Sequence, residues 1–399
     1  VAAVGVVNQL LNLVFLVFGV STVGTSVLCS QYLGASQQAN VRQVVGVSLV
    51  FNTLIRVTTS AFLYFRAEAL LKMMDLASEL ISEGLAYMQI VGGFAFLQAI
   101  ALTMSAVLRS HNKAYYPMRV TLLMNVLNIM GNYALIFGKF GFPQLGIAGA
   151  AIGSSLSELV SVIFFIIYTW KRIDCKKYAL NILPKFQGQT LKRILNVSVW
   201  TMIQNFVSLS TWFMFFLFVE HLGERSLAIA NIIRNVSGIP FMIAMAFAAT
   251  CGSLVSNLIG AGEQDCVRGT IRQHIRIGYV FVIPILIFFC LFPDLVLSIY
   301  TDMPDLREAS IPSLWVLCSA YLVLVPANVY FQSVSGTGNT RTALAMELCV
   351  LAIYVTYATY FILYMRMDIA FAWTTESVYG IFILIFCYRY MKKGNWQKK

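Results

Sequence analysis

Three carboxylates lie inside long apolar runs of this 399-residue chain: Glu158, Glu347 and Glu376. An ionisable side chain at membrane depth costs about 2.5 to 3.5 kcal/mol on insertion scales, so each calls for a partner or a task. Glu158 follows Ser154 by four residues, which puts both on one helix face. On the preceding run Asn125, Asn128 and Asn132 keep the i, i+3, i+7 spacing of a single polar stripe. Carboxylate, amide and hydroxyl oxygens together suit a hard cation such as Na+, and a carboxyl group can equally carry an exchangeable proton. The plainer use of Asn and Ser in such runs is to hydrogen-bond neighbouring helices. Asn128, Asn132, Ser154 and Glu158 are therefore the candidate coupling group. Glu347 and Glu376 are secondary candidates, with a packing carboxylate paired with Arg341 or a neighbour as the competing reading of Glu347. In "TMIQNFVSLSTW" (201–212) Gln204, Asn205 and Trp212 are candidates to line a substrate cleft, with helix packing as the competing use of Trp212.

Other chemistries find no support. His111 and His274 sit in basic loops and His221 in "EHLGERS"; the eight cysteines form no CxxC pair and read as small apolar fillers. No GxxxxGK[ST] segment offers a phosphate-binding loop. These observations predict a protein that is not an enzyme and uses no cofactor, with no metal other than a coupling Na+.

The elements that would position these residues are membrane helices. Hydrophobic residues make up 59% of the chain and charged ones 11%, the mean hydropathy is +0.77, and soluble domains carry nearer ~25% charge. The net charge of +11 comes from basic residues between apolar runs, which points to membrane orientation rather than to nucleic acid. Crossing a roughly 30 Å hydrocarbon core takes about 20 apolar residues in a helix. Eleven runs qualify: 4–32, 43–65, 84–108, 116–137, 146–170, 197–219, 227–260, 275–300, 310–334, 342–365 and 370–390. The connections alternate between the two sides, and one side carries 20 Lys and Arg against 6 on the other. The positive-inside rule places the 171–196 connector and the C-terminal "MKKGNWQKK" in the cytoplasm, and the chain in the inner (cytoplasmic) membrane as a multi-pass protein.

The chain also repeats itself. "QYLGASQQANVR" (31–42) and "NLIGAGEQDCVR" (257–268) share Gly, Ala, Gln, Val and Arg at an offset of 226, and Leu28 and Ser30 recur as Leu254 and Ser256. The same offset pairs the first four runs with the seventh to tenth, and the fifth with the eleventh after a small shift. The run at 197–219 has no mate within the sequence. The expected architecture is an all-α membrane protein of two six-helix lobes, related by a pseudo-twofold axis along the membrane normal, with the first helix missing and eleven present. Its parts are an N-lobe over 1–170, a basic connector over 171–196, a C-lobe over 197–391 and a basic tail over 392–399. Parallel repeats of this kind occur in secondary transporters, with the site at the repeat interface.

The Gly-Ala turns at 34 and 260, "SAVLRSHNKAYYPM" (105–118), "SVSGTGNTRT" (333–342) and "NVLNIMGNYALIFGKFGFPQLGIAGAAIGSSLSELV" (125–160) resemble the matching segments of the multidrug and toxic compound extrusion (MATE) transporters. The resemblance covers essentially the whole chain. It implies a twelve-helix exporter of the MOP superfamily: a secondary antiporter that expels drugs or other organic cations in exchange for Na+ or H+ by alternating access. The alternative within that superfamily is a lipid-linked sugar or polysaccharide flippase, which would need several basic residues for a pyrophosphate, whereas only Arg56 and Arg234 lie in the apolar runs. Partners are then a small-molecule substrate and membrane lipid, with the chain acting as a monomer. In the archaeal-like branch of the family the N-lobe ion site has an Asp on the first helix, an Asn and an Asp four residues apart on the fifth and a Thr on the sixth; the resemblance puts the last three on Asn128, Asn132 and Ser154, so the second Asp is replaced by an amide. Glu158 is expected to supply the substitute carboxylate. The NorM-like branch places its C-lobe carboxylates at positions that fall near Ser208 and Leu324 of this chain, where no carboxylate stands, so a C-lobe ion site built that way is not expected.

Overall fold

The computed structural model describes residues 7, 8, 11, 21–73, 78–111, 113–172, 186–394 and 396, and every regular element among them is helical. About half of the expected run 4–32, the central part of the connector (173–185) and residues 395 and 397–399 of the tail lie outside the described residues. Nine described helices are long and apolar enough to cross a membrane, and a tenth span forms if one bent pair is counted together.

The order is α1 (Ser21–Gly34), α2 (Gln38–Met73), α3 (Ser78–Gly93), α4 (Phe96–Ser110), α5 (Tyr115–Phe137), α6 (Gly146–Arg172), α7 (Gly188–Glu220), α8 (Glu224–Ala261), α9 (Cys266–Leu291), α10 (Pro293–Ser298), α11 (Pro304–Gly336), α12 (Thr340–Ala358), a π-helical continuation (Thr359–Tyr364), α13 (Ile369–Ala372) and α14 (Thr374–Lys393). Several helices outrun the apolar runs that announce them. Helix α7 starts at Gly188 instead of 197, and α9 at Cys266 instead of 275. Their opening turns, "GQTLKRILN" and "CVRGTIRQH", are mixed polar and apolar, so hydropathy misses them while the backbone ladder continues through them. With 38 residues, α8 is about 57 Å long at 1.5 Å per residue, well beyond the hydrocarbon thickness. The run 84–108 is two helices bent by 42°. The break follows Gly92-Gly93, where the side chains that stiffen a helix against its neighbour are missing.

The chain divides into two compact units, Val1–Val199 and Trp200–Lys399, the division falling within α7. In the first unit α5 packs along α6, α1 along α2 and α4, α2 along α4, and α4 along α6. The second repeats this list: α12 packs along α14, α8 along α9 and α11, α9 along α11, and α11 along α14. Each unit has its own apolar core, with Val41, Val44, Val107, Leu108 and Phe165 in the first and Ile233, Val282, Leu314, Val325 and Trp373 in the second. Large apolar side chains such as Phe65, Ile129, Trp170, Met242 and Leu291 are mostly exposed, a surface suited to hydrocarbon rather than water.

The duplicated segment has a structural cause. Where α1 ends, Ser36 takes a left-handed φ of 56°, its N–H donates to the Leu33 carbonyl, and the Gln37 N–H donates to the Tyr32 carbonyl. At the offset of 226, Gly262 has φ 79°, its N–H donates to the Ile259 carbonyl, and the Glu263 N–H donates to the Leu258 carbonyl. Both are αL helix terminations that satisfy the last carbonyls. The neighbouring helix contacts recur as well. The Ser110 hydroxyl donates to the Ser26 carbonyl between α4 and α1. In the second unit the Ser256 hydroxyl donates at 2.6 Å to the Gly336 carbonyl between α8 and α11. There the backbones of Gly252 and Gly336 are so close that a Cβ on Gly336 would collide with the Gly252 carbonyl. Pro240, Pro284 and Pro326 lie inside continuous helices, in α8, α9 and α11, each removing one ladder donor.

Candidate functional site

Helices α5 and α6 form a hairpin closed by the Leu145 N–H, which donates to the Leu135 carbonyl at 2.8 Å. Gly138, Gly141 and Gly146, together with Phe140, supply its left-handed backbone angles. Gly131 faces Gly153, and a Cβ on Gly153 would stand 2.6 Å from Asn132 Oδ1. Small residues let the two helices approach this closely. The approach brings the Asn stripe of α5 against the Ser face of α6. Asn132 Nδ2 donates to Asn128 Oδ1 at 3.0 Å, Asn128 Nδ2 donates to Ser154 Oγ at 3.0 Å and toward Ser157 Oγ at 3.4 Å, and the Ser157 hydroxyl donates to the Gly153 carbonyl. One end of this chain of bonds is open: Asn132 Oδ1 is buried and accepts no hydrogen bond among the described residues. Asn125 is exposed and stands outside the chain.

Glu158 lies one turn beyond Ser154 on α6, half-buried. Its charge interacts with Arg56 of α2, a guanidinium that is 1% exposed and whose Nη1 donates toward Gln98 Oε1 of α4. The structure thus joins Asn128, Asn132 and Ser154 directly and sets Glu158 one turn along α6 from Ser154, in electrostatic interaction with Arg56. Ser157 and Arg56 belong to this region and were not singled out in the sequence. Ser157 is readable as one helical turn from both Gly153 and Ser161, whereas the meeting of Arg56 with Glu158 depends on how α2 packs.

In the second unit Glu347 does not pair with Arg341, which stacks over Trp200 at 5.3 Å. Instead Glu347 Oε1 accepts from the Ser208 hydroxyl at 2.7 Å, and the Tyr379 hydroxyl lies 3.0 Å from both carboxylate oxygens. The physical reason is direction: Arg341 sits near the start of α12, and Glu347, six residues on, faces the core between α7 and α14. Gln204, one turn before Ser208, is buried with Oε1 unpartnered among the described residues, and Asn205 is half-buried. Trp212 packs edge-on to Phe216 at 5.2 Å and interacts with Glu376, which also accepts from the Tyr354 hydroxyl at 3.5 Å. Trp212 therefore has neighbours inside its own unit.

The MatE family model matches residues 1–134 and 201–360. The chain belongs to the MATE family. An uncharacterized transporter of Bacillus subtilis, YisQ, is 28% identical to it over all of this chain and 88% of its own length. A probable multidrug resistance protein NorM of Thermotoga maritima is 27% identical over all of this chain and 86% of its own. A solved outward-facing multidrug resistance MATE transporter of the MOP superfamily superimposes with a TM-score of 0.90 at 19% identity, covering all of this chain and 89% of the other; at that identity the likeness speaks for the fold.

As a MATE protein the chain is a multi-pass membrane transporter. Within this MATE chain the two polar centres differ in kind. The first has a basic side chain in electrostatic interaction with its carboxylate, and the second has none among the described residues.

Proposed function

We propose that the protein is a secondary antiporter exporting organic, cationic compounds in exchange for Na+ or H+, with Asn128, Asn132, Ser154 and Glu158 as its coupling group. Family membership and the efflux relatives support the export reading. The observation that carries the coupling is the open acceptor, Asn132 Oδ1, at one end of a half-buried amide and hydroxyl chain whose other end, Ser154, lies one turn from the Glu158 carboxylate. A buried acceptor without a donor costs about 1 to 3 kcal/mol, and an arriving cation or a proton-bearing group relieves that cost. Glu158 then trades part of its electrostatic interaction with Arg56 for the incoming charge, so ion binding alters the attraction between α6 and α2. The competing flippase reading is disfavoured by the two intramembrane arginines: Arg56 interacts with Glu158 and Gln98, and Arg234 stacks on Phe216 at 5.2 Å. Neither belongs to a cluster that would cradle a diphosphate. The protein is taken to act as a monomer, with its C-terminus in the cytoplasm.

The test is efflux of a fluorescent organic cation from proteoliposomes under separate Na+ and H+ gradients. One gradient is expected to drive export, and the double substitution Asn132→Ala with Glu158→Gln to abolish the driven component. Export that persists unchanged in the double variant would remove the coupling assignment.

A further inference from the structure

Glu347 is 2% exposed on α12, held by hydroxyls from two different helices, Ser208 of α7 and Tyr379 of α14. Glu376 precedes Tyr379 by three residues on α14 and accepts from Tyr354, which follows Glu347 by seven on α12. Spacings of three and seven keep each pair on one helix face, so the facing strips of α12 and α14 each carry one acid and one phenol. The Tyr354 and Tyr379 rings meet edge to face with centroids 6.4 Å apart. The Tyr379 hydroxyl also lies within electrostatic reach of Glu376. The other groups facing the pair are Cys387 toward Glu347, and Trp212 and Tyr321 toward Glu376, the Tyr321 hydroxyl being committed to the Ser237 carbonyl at 2.9 Å. None is basic. The ion pairs among the described residues, Lys72 with Glu68, Arg225 with Asp305 and Arg307 with Asp294, involve neither acid.

A buried and a half-buried carboxyl group with no counter-cation among the described residues cannot both remain charged between apolar helices at small cost; each takes up a proton or an ion from outside. Their neighbours favour the proton. Ser and Tyr hydroxyls donate to an ionised carboxylate and accept from a protonated one by turning the O–H, so the same side chains satisfy both states without moving a helix. We propose that Glu347 and Glu376 form a proton-exchange site inside the second unit, with Tyr379 and Tyr354 holding the pair together in both charge states. Each acid gains one proton and loses one negative charge per loading, and no bond other than O–H is made or broken. Proton exchange by itself does not depend on the exporter reading; its contribution to transport does.

The experiment is infrared difference spectroscopy of the full chain in lipid, acidic minus alkaline, read at the carbonyl stretch of protonated carboxyl groups. Two components are expected to grow on acidification, one lost in Glu347→Gln and the other in Glu376→Gln. Tyr379→Phe keeps the ring and the packing and is expected to shift both components, which a merely structural tyrosine would not do. Spectra in which neither glutamine substitution removes a titrating component overturn the proposal. So does a component that responds to Na+ at fixed pH and not to acid. In proteoliposomes each glutamine variant should lower proton-driven dye efflux about tenfold, with Asp302→Asn, exposed at a loop, as the unchanged control. Wild-type protein that titrates but exports nothing refutes the exporter reading and leaves this site standing; wild-type protein that exports but shows no such components refutes this site alone.

Discussion

Truncating Asn128 to Ala would strip Ser154 of its donor and Asn132 of its acceptor in one step. Polar contacts between membrane helices are worth on average about 0.6 kcal/mol and at most about 1.7, so Asn128→Ala should lower thermal stability in detergent modestly. It should impair coupled efflux severely, and equal losses in both readouts would argue that Asn128 is only glue. A second prediction concerns His111, which closes α4 at the edge of the membrane. Burial, with a smaller push from the Lys113 charge, holds its imidazole below the usual histidine range, against a backbone hydrogen bond to the Val107 carbonyl that acts the other way. A histidine whose folded value is depressed contributes stability above its unfolded value near 6.5, and that stability is lost as pH falls through the lower folded value. Melting temperature should therefore drop on acidification below about pH 6.5, and His111→Gln should flatten that slope. Sequence spacing suffices to align Asn128 with Asn132 and Ser154 with Glu158, because each pair sits on one helix. It cannot show that Arg56 reaches Glu158 or that Ser208 and Tyr379 meet on Glu347, because those encounters are decided by how separate helices cross.

Helices are where hydropathy reads best and also where it stops. The apolar runs announce the described spans, but the extra turns at the starts of α7 and α9 are amphipathic, and the break between α3 and α4 lies inside an unbroken apolar stretch. The Gly92-Gly93 pair is the local signal for that break. Gly252 and Gly336 support a sharper test. A methyl at 336 would collide with the Gly252 carbonyl, and neither side of the contact is a flexible side chain that could give way. Gly336→Ala should cost at least the 1 to 3 kcal/mol typical of overpacking, seen as lower yield and a lower unfolding temperature. Gly238→Ala in the same α8, where an added Cβ meets nothing within 4 Å, should be neutral or slightly stabilising. A Gly336→Ala protein as stable as the wild type would mean that the α8–α11 crossing is looser than described.

For the molecule as a whole, the repeat of 226 residues is legible in sequence because a helix termination is chemically demanding. A left-handed residue followed by a new helix leaves a recognisable Gly-Ala and Gln signature, while the lipid-facing residues between are interchangeable. Ser36 standing where the second copy has Gly262 shows that the backbone turn persists even when the residue best suited to it is replaced. The orientation expected from charge can be checked with the native cysteines. Cys266 is exposed in the connection that opens α9, on the side rich in Lys and Arg. In intact cells a membrane-impermeant thiol reagent should leave Cys266 unlabelled and should label a cysteine introduced as Asp302→Cys; permeabilisation should expose both. The reverse pattern would invert the topology.

The seam between α8 and α11 has no side chains to cushion it, so near Gly252 and Gly336 the two rods are pinned and must swing as one piece. Ten to twelve residues away along the same rods, Pro326 and Pro240 each leave a gap in the backbone ladder. Stiffness and compliance are thus sorted along the length of the second unit, like a hinge whose knuckle is welded and whose leaf is thinned. Any shape change the unit makes during its cycle must be taken up at the thinned stretch.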